Sequence, residues 1–277
     1  MVYFVQNVFA TLLLVSAMTS AFLPAQLARP MSTRVGENSL YASSADTPAV
    51  LPDFASKEAY MEFLKGVSGL PKGFATGTAS GKFIAKEAPA MGPLPIKGTV
   101  IHLTEGPTDN WAAVFTSNKF PGAPVIVGRK RLSSGGPLNA LVINNKVSNV
   151  CSGGDGVGDS EMVCEAVASA LKLEGGAATV LPSSTGVIGW RLPAKELASD
   201  VVPEAIKNLD ATSGSDAATA IMTTDRWPKL RSKTLKSGAR LVGIAKGAGM
   251  IEVSWNYCCG VYFSWIFLSN GMNGFCL

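Results

Sequence analysis

Apolar residues fall into two recurring patterns between Leu51 and Ile251. The first is helical. Tyr60, Phe63 and Leu64 share one face of a segment that Ser56 can cap and that runs through Gly66. Val163, Val167, Ala170 and Leu171 keep the same spacing in a longer segment, which Asp159 is expected to cap and Gly175 and Gly176 to end. Two shorter helices are expected, one opened by Pro193 and one over "DAATAIM". The second pattern is a short apolar run bounded by Gly, Pro, Asn or Ser. "TVIHL", "WAAVF", "PVIVG", "ALVIN", "ATVLP" and "ARLVGIA" read as strands on this ground. Adjacent strands mix with helices in this order, so the expected class is α/β in the layered α+β sense, not a strict βαβ repeat.

Both ends break these patterns. Residues 1–21 carry an apolar core from Val8 to Met18 and end in Thr19, Ser20 and Ala21, which suits a signal peptide and is short for a membrane span. No acidic residue precedes Glu37, and Arg29, Arg34 and several Ser and Thr residues follow Phe22, so residues 22–48 have transit-peptide chemistry. The junction "TSAFLP" resembles the Ala-Phe-X-Pro cleavage motif of bipartite plastid presequences, with Phe22 just after the cut. A plastid destination is therefore expected, with a mitochondrion or the secretory pathway as alternatives. At the other end, Val253 to Leu277 holds no charged residue, yet seven of the 22 aromatic residues and three of the five cysteines lie there.

Composition narrows the function classes. With 47% hydrophobic and 16% charged residues the chain is globular. A net charge of +4, from 24 basic and 20 acidic residues without like-charge blocks, argues against nucleic-acid binding. Five cysteines without paired CxxC spacing and a single histidine, His102, give no basis for a disulfide framework or a metal site. "GTASGKF" at Gly77 lacks the spacing of a phosphate loop, and "GGDGVGD" at Gly153 does not fit GxGxxG; both read as turns.

Six longer stretches carry more information because of their order. These are "LPKGFATGTASG" (Leu70 to Gly81), "AAVFTSNKFPGAPV" (Ala112 to Val125), "LVINNKVSNVCSGGDG" (Leu141 to Gly156), "SSTGVIGWRLP" (Ser183 to Pro193), "AIMTTDRWPK" (Ala220 to Lys229) and "GIAKGAGMI" (Gly243 to Ile251). Together they resemble the ornithine acetyltransferase family, the bifunctional glutamate N-acetyltransferases of arginine biosynthesis. The α-chain-like domain would then cover residues 49–252. The resemblance implies a layered α/β fold with sheets between helices, and acetyl transfer from N-acetylornithine to glutamate through a threonine that self-cleavage turns into a new N-terminus. It implies an oxyanion hole at Thr185 and Gly186, and substrate-binding roles for Thr223 and Lys246. A lysine ammonium suits a substrate carboxylate. No cofactor is implied; acetyl-CoA is a co-substrate for some members. The implied partner is the family's own β chain. Val150 and Ser152 depart from the usual family residues, and Cys151 reads as a small buried residue, not a nucleophile.

The resemblance stops at Glu252. Counting from Lys246 puts the nucleophilic threonine at position 257, where this chain has Tyr257. A phenol on a rigid ring cannot replace a small hydroxyl in an N-to-O acyl shift, so the chain is expected to be inactive as written. "Glu-Val-Ser" can be encoded with a splice-donor GT after Glu252, which makes residues 253–277 an expected intron read-through. Two other classes remain open at this point: a substrate-binding pseudoenzyme, and a related self-processing aminopeptidase.

Overall fold

The computed structural model describes residues 54–246 and the backbone of two further strands, Trp265–Ser269 and Gly274–Cys276. The presequence readings for residues 1–48 and the junction that holds Tyr257 lie outside the described residues. The chain divides into two compact units, Met1–Ala59 and Tyr60–Leu277. In the first, the Ala59 amide donates to Ser56 Oγ at 3.2 Å, the expected cap. Helix α1 (Lys57–Val67) buries Tyr60 and Leu64 and leaves Phe63 half-buried.

Two mixed sheets and the helices on them make up the second unit. The first sheet has the order β1-β2-β4-β5, with β1 at Phe74–Phe83, β2 at Leu94–Leu103, β4 at Ala140–Asn144 and β5 at Val180–Ser184. The β1–β2 and β2–β4 pairs are antiparallel and β4–β5 is parallel. The second has the order β3-β9-β8-β7-β6, with β3 at Trp111–Ala112, β6 at Lys229–Thr234 and β7 at Arg240–Ala245, and β8 and β9 at the two strands beyond residue 264.

Helix α2 (Ala123–Ser134) and helix α3 (Gly156–Leu171) lie against β5. Three consecutive helical pieces, Ala194–Glu196, the π-turn Leu197–Val201 and Val202–Lys207, form α4 (194–207) across β1 and β2. Helix α5 (Ser215–Ala220) touches β1, β2 and β6, so it links the two sheets. The core gathers Ile96, Val100, Val142, Val163, Val167 and Leu197 between the first sheet and helices α3 and α4.

The mixed order of strands and helices agrees with the expected class. Several local expectations do not hold. "PVIVG" is helical: Gly122 caps α2, Pro124 sits in its first turn, and the buried set Ala123, Pro124, Val127, Gly128 and Arg131 has helical spacing. "WAAVF" is a strand only at Trp111 and Ala112. The α3 cap is Asp155, whose carboxylate accepts from the Gly158 amide at 2.8 Å; Asp159 is instead paired with Arg191 at 3.0 Å. "GTASGKF" is no turn but the body of β1. Its glycines admit α4, since a Cβ at Gly77 would lie 2.0 Å from the Ala205 carbonyl and one at Gly81 2.6 Å from a Val201 methyl.

Candidate functional site

Parallel strands β4 and β5 end side by side, and the chain segments that leave them stay in contact. The Thr185 amide donates to the Asn144 carbonyl at 3.0 Å, the Val187 amide to Lys146 at 2.8 Å, and the Ser148 amide to Val187 at 3.0 Å. Between these bonds Gly186 adopts φ +136°, a conformation open to glycine. The Thr185 amide is therefore occupied. Its hydroxyl and the Gly186 amide have no acceptor among the described residues, so two donors stand together at a half-buried turn. That is the equipment an oxyanion hole requires.

The second part of the site forms where α5 ends. Thr223 is exposed, and its amide donates to Asp225 Oδ2 at 3.3 Å. Lys246 extends from the end of β7 and brings Nζ to 3.5 Å from the same oxygen. The other oxygen, Oδ1, accepts from Lys229 Nζ at 2.8 Å. The side chains are 1% exposed for Asp225, 14% for Lys246 and 21% for Lys229, so this is a largely desolvated charge cluster. Nearby, the Tyr60 hydroxyl donates to the Pro228 carbonyl at 2.5 Å and its ring meets Trp227 edge-on, which fixes the chain just after Asp225.

Adjacent asparagines connect the two parts. Asn144 accepts from Thr185 through its carbonyl and from Ser184 Oγ through Oδ1 at 2.6 Å. Its amide donates to the Val147 carbonyl at 2.8 Å. Asn145 Nδ2 donates to the carbonyls of Ala220 and Met222, both at 3.1 Å, while its Oδ1 accepts from the Lys97 amide at 2.8 Å. One dipeptide at the end of β4 thus holds the Thr185–Gly186 turn on one side and the approach to Thr223 on the other. All four residues singled out in the sequence belong to this assembly. Sequence reasoning missed Asn144, Asn145, Asp225 and Lys229. Only Asp225 left a signal: it is the sole acidic residue between Asp216 and Glu252, among seven basic ones.

Other candidates fall away. Cys151 is exposed and left-handed at φ +53°, which corrects the expectation of a buried residue. His102 lies on β2, as expected, and burial pushes its imidazole below the ordinary value. A cleft of about 380 Å³ lined by Lys72, Glu105, Thr108 and Asp109 contains none of the site residues. No metal-binding group of His, Cys, Asp or Glu occurs among the described residues.

Residues 96–257, more than half of the chain, match the family model described as the ArgJ family. The chain belongs to the ArgJ family. This ArgJ-family chain is 37% identical over 188 residues to the arginine biosynthesis bifunctional protein ArgJ of Nitratidesulfovibrio vulgaris, covering 67% of the chain and 45% of that protein. It is 38% identical over 159 residues to the mitochondrial arginine biosynthesis bifunctional protein ArgJ of Lodderomyces elongisporus, covering 55% of the chain and 36% of that protein. The ornithine acetyltransferase of Mycobacterium tuberculosis, solved in complex with ornithine, is similar at a TM-score of 0.57 and 34% identity, over 68% of this chain and 95% of that one. That likeness bears out the α/β class. The chain spans less than half the length of these curated ArgJ relatives.

Proposed function

We propose that this chain contributes the oxyanion and substrate-carboxylate elements of a glutamate N-acetyltransferase that moves acetyl from N-acetylornithine to glutamate. The observation that supports this reading is the run of contacts from Thr185 to Asn144, from the adjacent Asn145 to Ala220 and Met222, and from Thr223 through Asp225 to Lys246. The relative solved with ornithine supports the substrate class.

In this reading a threonine hydroxyl adds to the acetyl carbonyl of N-acetylornithine. The Thr185 hydroxyl and the Gly186 amide donate to the oxyanion, Lys246 holds the α-carboxylate, and ornithine leaves as the amine. Glutamate's amine then attacks the acetyl-threonine ester. Loss of one oxyanion donor would slow acylation by about 10²- to 10³-fold. No cofactor takes part, and acetyl-CoA is at most an alternative acetyl donor. The nucleophile would be generated by self-cleavage and would head a β chain, the partner of this one. Exposure of Val114 and Phe120, at 75% and 66%, supports a partner covering the connection before α2. The family match ends at residue 257, where Tyr257 stands in place of the expected threonine. The chain as written would therefore bind substrate without transferring acetyl. The "TSAFLP" junction supports a plastid address, while the mitochondrial relative supports an organelle address more generally.

Two measurements test the proposal. Transcript and genomic sequencing across codon 252 should find an exon that opens with a Pro-Asn-Met-Ala-Thr-like segment. NMR with acetyl-labelled N-acetylornithine and glutamate should show ligand binding by this chain and N-acetylglutamate only from the product that carries the threonine. Binding without acetyl transfer by any product of the gene would favour a binding protein, the reading Tyr257 supports. Neither binding nor transfer would refute the assignment.

A further inference from the structure

We propose that the cavity between the first turns of α3 and the ends of β4 and β5 is a binding site for one water molecule, which accepts from Ser160 Oγ and donates to Ser184 Oγ and Asn144 Oδ1. The bridge ties α3 to the strand ends that carry the Thr185–Gly186 turn. This goes beyond the acetyl-transfer reading and does not rest on it.

The cavity measures about 10 Å³, the space of a single water. Val142, Val163 and Leu192 give it apolar walls, while Asn144, Ser160 and Ser184 bring polar atoms to it. Asn144 and Ser160 are 4% and 1% exposed, so bulk solvent does not serve their side chains. Ser160 Oγ accepts from Asn149 Nδ2 at 3.0 Å, and among the described residues its own hydrogen has no acceptor. Ser184 Oγ gives its hydrogen to Asn144 Oδ1 at 2.6 Å and accepts from no donor among the described residues. Asn144 cannot turn its amide round to serve Ser160, because Nδ2 already donates to the carbonyls of Val147 at 2.8 Å and Asn145 at 3.1 Å. Oδ1 is thereby fixed as an acceptor with one lone pair to spare. The helix thus offers one donor and the strands two acceptors, which a water completes by taking one hydrogen and giving two. A buried hydroxyl left without that acceptor would be destabilising. The bridge reaches the turn because the Asn144 carbonyl accepts from the Thr185 amide at 3.0 Å, and it reaches the segment that leaves β4 because Asn149 is bonded to Ser160.

The test uses the full chain and two variants. Ser160→Val removes the donor and fills the cavity, whereas Ser160→Ala removes the donor and leaves the space. NMR cross-relaxation should detect a long-lived water at the Val142 and Val163 methyls of the parent chain and none in Ser160→Val. Both variants cut the bridge, so the Thr185 amide should exchange about twofold to tenfold faster relative to the Val242 amide of β7, the range for one lost hydrogen bond. Val242 registers any loss of overall stability. Should valine prevent folding, the parent chain and Ser160→Ala carry the test. Absence of a long-lived water at those methyls in the parent, or its persistence in a folded Ser160→Val, would overturn the site. Thr185 exchange that rises only in step with Val242, or not at all, would overturn the tie between α3 and the turn. Acetyl transfer enters none of these readouts, so failure of that reading would leave this result standing.

Discussion

Replacing Gly186 with alanine should destabilise the chain by roughly 3–6 kcal/mol, the sum of a strained backbone and a backbone collision. At φ +136° an alanine would incur strain of about 1–3 kcal/mol. Its Cβ would also lie 2.1 Å from the carbonyl carbon of Lys146, 2.2 Å from its oxygen and 2.6 Å from the Val147 nitrogen. None of these atoms can rotate aside. Restoring ordinary contact at 3.4 Å requires the two segments to part by more than an ångström, which breaks the Val187-to-Lys146 hydrogen bond of 2.8 Å and strains the Ser148-to-Val187 bond of 3.0 Å. Each is worth about 1 kcal/mol. Gly189 is the control. It too has a positive φ, +85°, but a Cβ there meets nothing within 4 Å, so Gly189→Ala should cost only about 1–2 kcal/mol. Urea unfolding at matched m-values measures both. Equal destabilisation by the two substitutions would refute the close approach that shapes the Thr185–Gly186 turn.

Two further predictions concern the scaffold. Asn145→Asp turns a donor to the Ala220 and Met222 carbonyls into an anion facing them, so at pH 7 it should be less stable than Asn145→Ala by about 1–3 kcal/mol. The deficit should shrink in acid, because the folded state would raise that carboxyl's pKa and the stability linked to its proton is lost as pH rises; urea curves that rank the two variants equally at pH 7 would sink the idea. Burial pushes the Cys164 thiol from 9.0 up to about 12, with Arg131 opposing and Glu161 and Glu165 reinforcing. The folded state therefore holds this proton more tightly than the unfolded one, and its contribution to stability, full below pH 9, is lost as pH rises toward 12. Cys164→Ala should flatten unfolding free energy over that window, and iodoacetamide should spare Cys164 in the folded chain while labelling exposed Cys151.

The residues that could be read in advance differ in kind from those that could not. "TVIHL", "ALVIN" and "ARLVGIA" declare themselves because strand burial follows local composition. Thr185, Gly186, Thr223 and Lys246 could be proposed as site residues because the stretches that hold them resemble family motifs in the same order along the chain. "PVIVG" misled because a run of β-branched residues resembles a strand until the helix cap at Gly122 and the packing of Gly128 against Phe115 are known. The glycines of "GTASGKF" misled because a glycine that admits a turn and one that admits a neighbouring helix look alike in one dimension. Asp159 misled because Arg191, 32 residues away, claims its carboxylate and leaves the cap to Asp155. Asp225 marks the boundary between the two kinds. Its partners lie on separate elements and no local rule pairs them, yet a lone acid among seven bases is a charge anomaly that the sequence displays openly. A single carboxylate in so basic a stretch is costly to bury unless cations converge on it. Its burial with Lys229 and Lys246 is therefore the outcome electrostatics favours.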